Sequence, residues 1–445
     1  MITLPPKDPA LGAALDVVLS GSAMREVLGR YLPDCASGAL RVESCRPYHV
    51  LYKQGRNCRV QYELTLGDTE AGSTVQTLAH VKMYGDGRTE KLWSDPALGR
   101  LVERAARLHP DPPVGRAAYV PEIRAIVQLY PVDVRLPALA CAASSSEMLR
   151  ALRKALPEGS ALRECQAELV QYKPTHRVVL RYRLSGAEVD TIYGKLHRDN
   201  RGAVFFEVGR ALAAAGVATP TPLAYLPDLR MQVHAEAPGT QLSKLRNSAE
   251  FEAWLGPVAE TLARLHATQV ADLLTFSPHD RADAVVAAGR TIGTALPGLA
   301  AEAEQLARSL AADLGAVVGA EATIHGDFSD NQVFVSDAGI ALLDFDVVRL
   351  GNPLVDVGNF LAKLSSHRED LFGDADSMRA IFLEAYAALR PEAREHALLF
   401  EAATLLRRSA LYPLKQLRPG WSDEIERLVR LAAQRLEEYR RRGRS

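Results

Sequence analysis

HGDFSDNQVFV, residues 325–335, sets down His325, Asp327, Asp330, Asn331 and Gln332 and then turns apolar. A few residues later the chain reads LLDFD, residues 342–346, with Asp344 and Asp346. The apolar runs VFV and IALLDF are separated by Ser336-Asp337-Ala338-Gly339, which reads as a β-hairpin with Asp344 at the end of its second strand. Carboxylates this dense beside buried strands need a chemical reason. The question is what brings Asp327, an amide side chain and Asp344 to one place, and which amide it is.

The rest of the chain bounds the answer. At 445 residues two or three compact units are expected. Hydrophobic content of 47% and charged content of 24% are those of an ordinary globular protein. A formal net charge of −1 provides no global field for nucleic acid or an anionic membrane. No apolar run reaches the roughly 20 residues of a membrane-spanning helix. The start, MITLPPKDPALG, has neither the basic nor the apolar region of a secretory leader. Cys35, Cys45, Cys58, Cys141 and Cys165 are odd in number and contain no CxxC, so a reducing cytoplasm is expected, with no disulfide framework and no zinc site. The Arg440-Arg441-Arg442 tail reads as a solvated helix end.

The first half contains a repeat. CRPYHVLYKQGRNCRVQYEL from Cys45 matches CQAELVQYKPTHRVVLRYRL from Cys165 at a constant offset of 120 residues. Each is followed by a further strand ending near a lysine, Lys82 or Lys195. Each then has a helical stretch, LGRLVERAARL or VFFEVGRALAAAG, and a closing pair of strands around AYVPEIR or AYLPDLR. A unit of strand–strand–strand–helix–strand–strand therefore occurs twice. From about residue 248 the pattern changes to long helices: EFEAWLGPVAETLARLHA, GLAAEAEQLARSLAADLG, SMRAIFLEAYAAL, EHALLFEAATLLRRSALY and SDEIERLVRLAAQRLEEYRR. β-rich units followed by a helical region holding a short β patch make an α+β architecture.

Phosphoryl transfer accounts for the opening stretch. It needs a carboxylate facing the acceptor hydroxyl and hard-cation oxygen ligands that bridge the phosphates. A kinase-type loop places its amide ligand five residues after the catalytic aspartate, which is Gln332 rather than Asn331. Asp344 then stands where the second metal ligand is required. The same chemistry calls for a strand lysine held by a helical glutamate, and Lys195 and Glu207 occur in that order on those elements.

The segment IHGDFSDNQVFV…LLDFDVVRLGNPLVDVGNF resembles the aminoglycoside phosphotransferase / choline kinase-like family of small-molecule kinases. With the second β unit and the later helices, the resemblance reaches from about residue 160 to 435. It implies the bilobal protein-kinase-like fold, with an antiparallel-sheet N-lobe and a mainly helical C-lobe. It implies Asp327 as the catalytic residue, Asp344 as a metal ligand, Asp356 as a brace of the catalytic loop, and ATP with Mg²⁺ as donor and metal. The adenine would lie along Met231–Gly239, with Glu236 inside that segment. The expected divisions are a degenerate N-lobe-like cap at 1–158, the kinase N-lobe at 159–240 and the C-lobe at 241–445. A second, non-catalytic nucleotide site in the cap is the alternative use of the first copy.

Two departures qualify the resemblance. Most of the family has asparagine where this chain has Gln332, and the bacterial maltokinases look similar in carrying glutamine there, which raises a sugar acceptor. No glycine-rich loop covers the phosphates. The second copy has YKPTHRV in its place, making Lys173, His176 and Arg177 candidates for phosphate contacts. The expected acceptor is a small hydroxyl compound: a sugar or amino sugar, then an aminoglycoside, then an amino alcohol. The rival reading is a pseudokinase that binds nucleotide without turnover. Bland readings stand beside the sharp ones. His325 reads as a buried histidine bonded to nearby backbone. Asp330 and Asp337 read as turn residues. Arg407, Arg408, Tyr412 and Lys415 read more simply as a solvated helix face than as acceptor contacts.

Overall fold

The computed structural model describes residues 8, 10–110, 116–157, 159–186, 189–246, 248–271, 273–275, 278–317, 319, 321–366 and 374–443. Two compact units share them. The first comprises residues 1–204, 222–235 and 415–419, and the second residues 205–221, 236–414 and 420–445.

The first unit contains the repeat as two five-stranded antiparallel sheets. One is built from β1 (Leu40–Lys53), β2 (Asn57–Asp68), β3 (Thr74–Tyr84), β4 (Ala117–Val120) and β5 (Ala125–Leu129). The other is built from β6 (Glu164–Lys173), β7 (Arg177–Ser185), β8 (Thr191–His197), β9 (Pro222–Leu226) and β10 (Met231–Ala235). Their spatial orders, β1-β2-β3-β5-β4 and β6-β7-β8-β10-β9, are the same. The register repeats too, with Cys45 opposite Leu64 and Cys165 opposite Leu184. PEIR and PDLR each form a short 3-10 turn that closes on a left-handed arginine, Arg124 at φ 46° and Arg230 at φ 51°.

Strand alternation sends every second side chain of each sheet to an apolar face. Tyr62 and Tyr182, related by the repeat, are wholly buried there, and their hydroxyls donate to the carbonyls of Val18 and Ala142. The apolar face of the second sheet, with Tyr172, Val178, Leu180, Ile192, Met231 and Val233, forms one core with Met148 and Leu152 of the helix Ser145–Ala155. That helix starts at Ser144, whose hydroxyl accepts from the Glu147 N–H. Neither it nor the helix Gly21–Tyr31 was anticipated from the sequence pattern, although both begin at a serine N-cap.

One fastening is built twice. In the first copy the Asp8 carboxylate accepts from the Tyr52 hydroxyl and the Gly55 N–H, both at 2.8 Å. In the second copy Asp133 accepts from the Tyr172 hydroxyl at 3.0 Å and the Thr175 N–H at 2.7 Å. Gly55 and Thr175 sit at the same turn position with the same φ of 66°. Glycine reaches that conformation without cost, whereas a β-branched threonine is strained there. The Asp133 contacts hold Thr175 in place despite the strain.

The second unit is mainly helical. Its helices include Ala249–Ala267, Pro278–Ala295, Ala300–Ala316, Leu354–Ser366, Ala375–Leu389, Ala393–Thr404 and Trp421–Arg442. Pro278–Ala295 was not expected from the sequence, because its Asp, Arg and Gly residues dilute the apolar repeat. The expected long helix EHALLFEAATLLRRSALY is broken: Ala393–Thr404 passes into a π-helical turn, Leu405–Ser409, before the short helix Leu411–Gln416. Two small sheets interrupt the helices. β11 (Thr240–Gln241), β13 (Val333–Ser336) and β14 (Gly339–Leu342) form one, and β12 (Ala322–Ile324) pairs with β15 (Arg349–Gly351) in the other. No helix among the described residues is long and apolar enough to cross a membrane.

Asp133 lies 1% exposed. Asp133→Ala leaves the Tyr172 hydroxyl and the strained Thr175 amide without their acceptor. It is expected to cost about 2–3 kcal/mol, read from the urea unfolding midpoint.

Candidate active site

The site grows from the end of β12. After Ile324 the chain turns through His325, Gly326 and Asp327, and Gly326 has φ 80°. A Cβ on Gly326 would lie 2.6 Å from the Val347 carbonyl oxygen, so only glycine lets the chain pass there.

The loop is held from below by Asp356, fully buried at the start of the helix Leu354–Ser366. Its Oδ2 accepts from the His325 N–H at 2.6 Å and from His266 Nε2 at 3.1 Å, and its Oδ1 accepts from the Gly326 N–H at 2.8 Å. Burial alone would raise the Asp356 pKa, yet the His266 contact and the His325 amide hold it below the ordinary carboxylate value. His266 is pushed the other way by burial, below its ordinary imidazole value, and its second nitrogen meets the Tyr386 hydroxyl at 2.7 Å.

The His325 side chain is also buried, and its Nε2 donates to the Leu343 carbonyl at 2.8 Å. Leu343 is tied from its other side as well, since its N–H donates to the Gln332 carbonyl at 2.8 Å. The β13–β14 ladder, with Val333 opposite Leu342, therefore continues one step beyond the strands. It brings Gln332 beside the residue that precedes Asp344. Asp344 lies two residues past the end of β14 and not on it, with a left-handed φ of 69°. A non-glycine residue in that conformation is uncommon and turns the carboxylate away from the strand direction.

Gln332 is half-buried, and its Oε1 accepts from the Ser329 hydroxyl at 2.5 Å. An amide oxygen has two lone pairs, so one is left for a cation. The Asn331 side chain is exposed, while its backbone carbonyl accepts from Gln241 Nε2 at 2.6 Å. Among the described residues no group of three or more His, Cys, Asp or Glu is arranged as a metal cage. One carboxylate with one amide is an oxygen donor set that suits magnesium, which is commonly held by one or two protein oxygens with phosphates and water.

Two ion pairs were not legible in the sequence. Asp330, read as a turn residue, is fully buried and paired with Arg246, whose Nε donates to it at 2.5 Å. Asp327 pairs with Arg408, carried by the π-helical turn. A π turn places side chains a fraction of a turn away from α-helical spacing, so helical periodicity does not show where Arg408 points. Arg407, beside it, is pushed below its ordinary value first by burial and then by the Arg408 charge, with Asp327 opposing. Arg281 lies over the Phe400 ring at 5.3 Å, and burial with the charges of Arg407 and Arg349 pushes it down to about 9. The surroundings of Asp327 are rich in arginine.

The remaining candidates divide between the units. Lys195 on β8 stands opposite Val179 and Gln232. Lys173 and Arg177 face each other at the two ends of the β6–β7 turn. These three lie in the first unit, whereas Glu207 and Glu236 lie in the second and are both exposed. Glu207 is paired with Arg210 one helical turn on, at 3.1 Å.

Residues 179–396 match a family described as the phosphotransferase enzyme family. That stretch, just under half of the chain, is similar to this family. No curated protein matches the chain. Among solved structures, a choline kinase from Cryptosporidium parvum Iowa II is similar at 14% identity and TM-score 0.49, over 67% of this chain and 97% of that one. A choline/ethanolamine kinase family protein from Mesorhizobium loti is similar at 17% identity and TM-score 0.45, over 66% and 96%. The ADP-bound aminoglycoside phosphotransferase APH(2'')-Ib is similar at 15% identity and TM-score 0.43, over 61% and 94%.

In this phosphotransferase the matched stretch contains both the Asp327 loop and Asp356. Asp356→Asn replaces an acceptor of three N–H groups with an amide that can accept through only one atom. The variant is expected to be less stable at pH 7 by about 3–5 kcal/mol. A carboxylate with a depressed folded pKa contributes stability above its unfolded value of about 4 and loses it as pH falls through the folded value. The variant should therefore show a shallower loss of stability below about pH 4 than the unaltered chain, measured by urea midpoints across pH.

Proposed function

We propose that this phosphotransferase is a magnesium-dependent kinase that transfers the γ-phosphoryl group of ATP to a hydroxyl of a sugar. The observation that carries the reading is the double tie at Leu343, which brings the Asp327 loop, Gln332 and Asp344 into one framework. Asp327 orients the acceptor hydroxyl and takes its proton as the hydroxyl oxygen bonds to phosphorus and the bond to the β-phosphate oxygen breaks. Gln332 and Asp344 would hold Mg²⁺, which when bound neutralises charge on the phosphate oxygens. Lys195, with Lys173 and Arg177, would hold the donor phosphates, and Glu207 and Glu236 remain the candidates beside the nucleotide. Residues 1–158 act as a cap, 159–240 as the N-lobe and 241–445 as the C-lobe of a cytoplasmic enzyme.

The arginines near Asp327 bear on the acceptor. Aminoglycosides carry several ammonium groups, and Arg408 with Arg407 would repel them at short range. A sugar without cationic groups meets no such cost, so sugars rank ahead of amino sugars and aminoglycosides. A second reading, a nucleotide-binding regulatory protein without turnover, is favoured by one observation: Arg408 covers the Asp327 carboxylate. The experiment is ATP consumption with magnesium against a panel of sugars, amino sugars, aminoglycosides and amino alcohols. Phosphorylated product is expected with a sugar. Nucleotide binding with no product from any acceptor would sink the kinase reading in favour of the regulatory one.

Asp327→Asn is expected to reduce turnover by at least a hundredfold, on the order of general-base catalysis, while ATP affinity measured by calorimetry stays within a few-fold. Gln332→Ala is expected to raise the magnesium concentration for half-maximal rate severalfold. Asn331→Ala, at an exposed neighbour, should raise it much less, and the two magnesium titrations compare them directly.

A further inference from the structure

The first sheet has one face that is polar although it lies inside the unit. Arg59 and Gln61 of β2 stand opposite Lys82 and His80 of β3, and Ile126 and Gln128 of β5 stand opposite the same two residues. Residues directly opposite on antiparallel strands share a face. Tyr62, on the other face, points to the helix Ala14–Leu19 through Val18. The turn of the second copy borders the polar face: Gln61 Nε2 donates to the Tyr172 carbonyl at 3.1 Å, and Arg59 Nη1 donates to the Thr175 hydroxyl at 2.6 Å.

Two features of this face are not accounted for by folding. The first is charge. Lys82 is only 9% exposed, and its ammonium lies over the Tyr84 ring at 4.7 Å. Arg59, directly across from it, is half-buried. Among the described residues neither makes an ion pair with a carboxylate, and the buried Asp133, which acts on Arg59 without touching it, offsets only part of this charge. Side-by-side cations taken partly out of water cost stability unless an anion offsets them. The second feature is unmet hydrogen bonding. His80 is 1% exposed and neither ring nitrogen has a hydrogen-bond partner among the described residues. Gln128, opposite it, is 1% exposed and its Nε2 has no hydrogen-bond partner among the described residues. Buried polar groups are rarely left so. Burial pushes the His80 pKa down to about 4, so the ring is neutral at pH 7 and keeps one N–H to donate.

We propose that this face is an anion site that takes the phosphate or pyrophosphate group of a ligand, with Lys82 and Arg59 supplying charge and His80 and Gln128 supplying N–H donors. Arg59 also grips the turn of the second copy, so the site is assembled from both copies. All four residues belong to the first copy, and the site borders the β6–β7 turn whose Lys173 and Arg177 are the proposed donor-phosphate contacts.

The test uses the full chain with inorganic pyrophosphate and, separately, ADP as probes, in the unaltered protein and in Lys82→Met, Arg59→Gln and Lys195→Ala. Pyrophosphate is expected to bind by calorimetry and to raise Tm in the unaltered protein and in Lys195→Ala. Lys82→Met and Arg59→Gln should each weaken that binding at least tenfold. Lys82→Met should also raise Tm without ligand, since it removes an unmatched charge and keeps the packing volume. Pyrophosphate affinity within twofold of the unaltered protein in both variants overturns the proposal, as does loss of binding in Lys195→Ala alone. Should Lys82→Met not fold, Arg59→Gln decides the matter alone. ADP binding that is tighter than pyrophosphate binding and equally sensitive to Lys82→Met identifies a nucleotide. ADP binding insensitive to Lys82→Met, with pyrophosphate binding sensitive, identifies a free phosphate compound. Either outcome supports the anion site.

Discussion

A single buried carboxylate organises the second unit. Asp356 has no exposure to water, so its charge is tolerable only because the His325 and Gly326 amides and the His266 ring all donate to it. Those donors are not interchangeable with a neutral arrangement. Two are backbone groups at the end of β12, and satisfying them forces the chain through the Gly326 turn that presents Asp327. The third anchors the helix Ala249–Ala267 to the same point. From there His325 reaches Leu343, Leu343 reaches Gln332, and Asp344 follows next in the chain. The geometry of the candidate site is thus inherited, one hydrogen bond at a time, from a carboxylate buried beneath it.

The first unit solves a different problem twice. A long two-stranded β-hairpin is marginal by itself, and in each copy an aspartate outside the hairpin ties down its turn through a tyrosine hydroxyl and a backbone amide. The copies then part company. Gly55 adopts the turn without strain, whereas Thr175 adopts it under strain and offers a hydroxyl that Arg59 of the first copy uses. The strained residue therefore helps to join the copies, beside Tyr172, whose carbonyl accepts from Gln61. Through the Thr175 hydroxyl the first copy has a structural hold on the turn of the second.

Electrostatics sets the second theme. Arg408, Arg407, Arg349 and Arg281 act on one another near Asp327, and the largest cause of the shifts at Arg407 and Arg281 is burial, not mutual repulsion. Burying guanidinium groups is expensive, and the nearby Asp327 and Asp356 charges offset only part of that cost. An arrangement of this kind favours partners that do not add positive charge.

Much of the architecture was readable because the interactions that specify it are local. Period-2 alternation marks β6 and β7, a Ser-Asp-Ala-Gly turn marks the β13–β14 hairpin, and the matched AYVPEIR and AYLPDLR segments mark the duplication. The spacing of HGDFSDNQ and LLDFD likewise carried the candidate residues Asp327, Gln332 and Asp344, since chemistry at a β-hairpin depends on short distances along the chain. Tertiary structure alone decided the rest. Helical periodicity cannot foresee the π turn that carries Arg408 to Asp327, because that turn is settled by how Leu405–Ser409 packs among helices distant in sequence. Arg246 meets Asp330, and Asp133 meets Thr175, for the same reason: each pair joins segments whose facing is fixed only when the core closes. A sequence states which groups need a partner when buried, and packing selects which partner each receives.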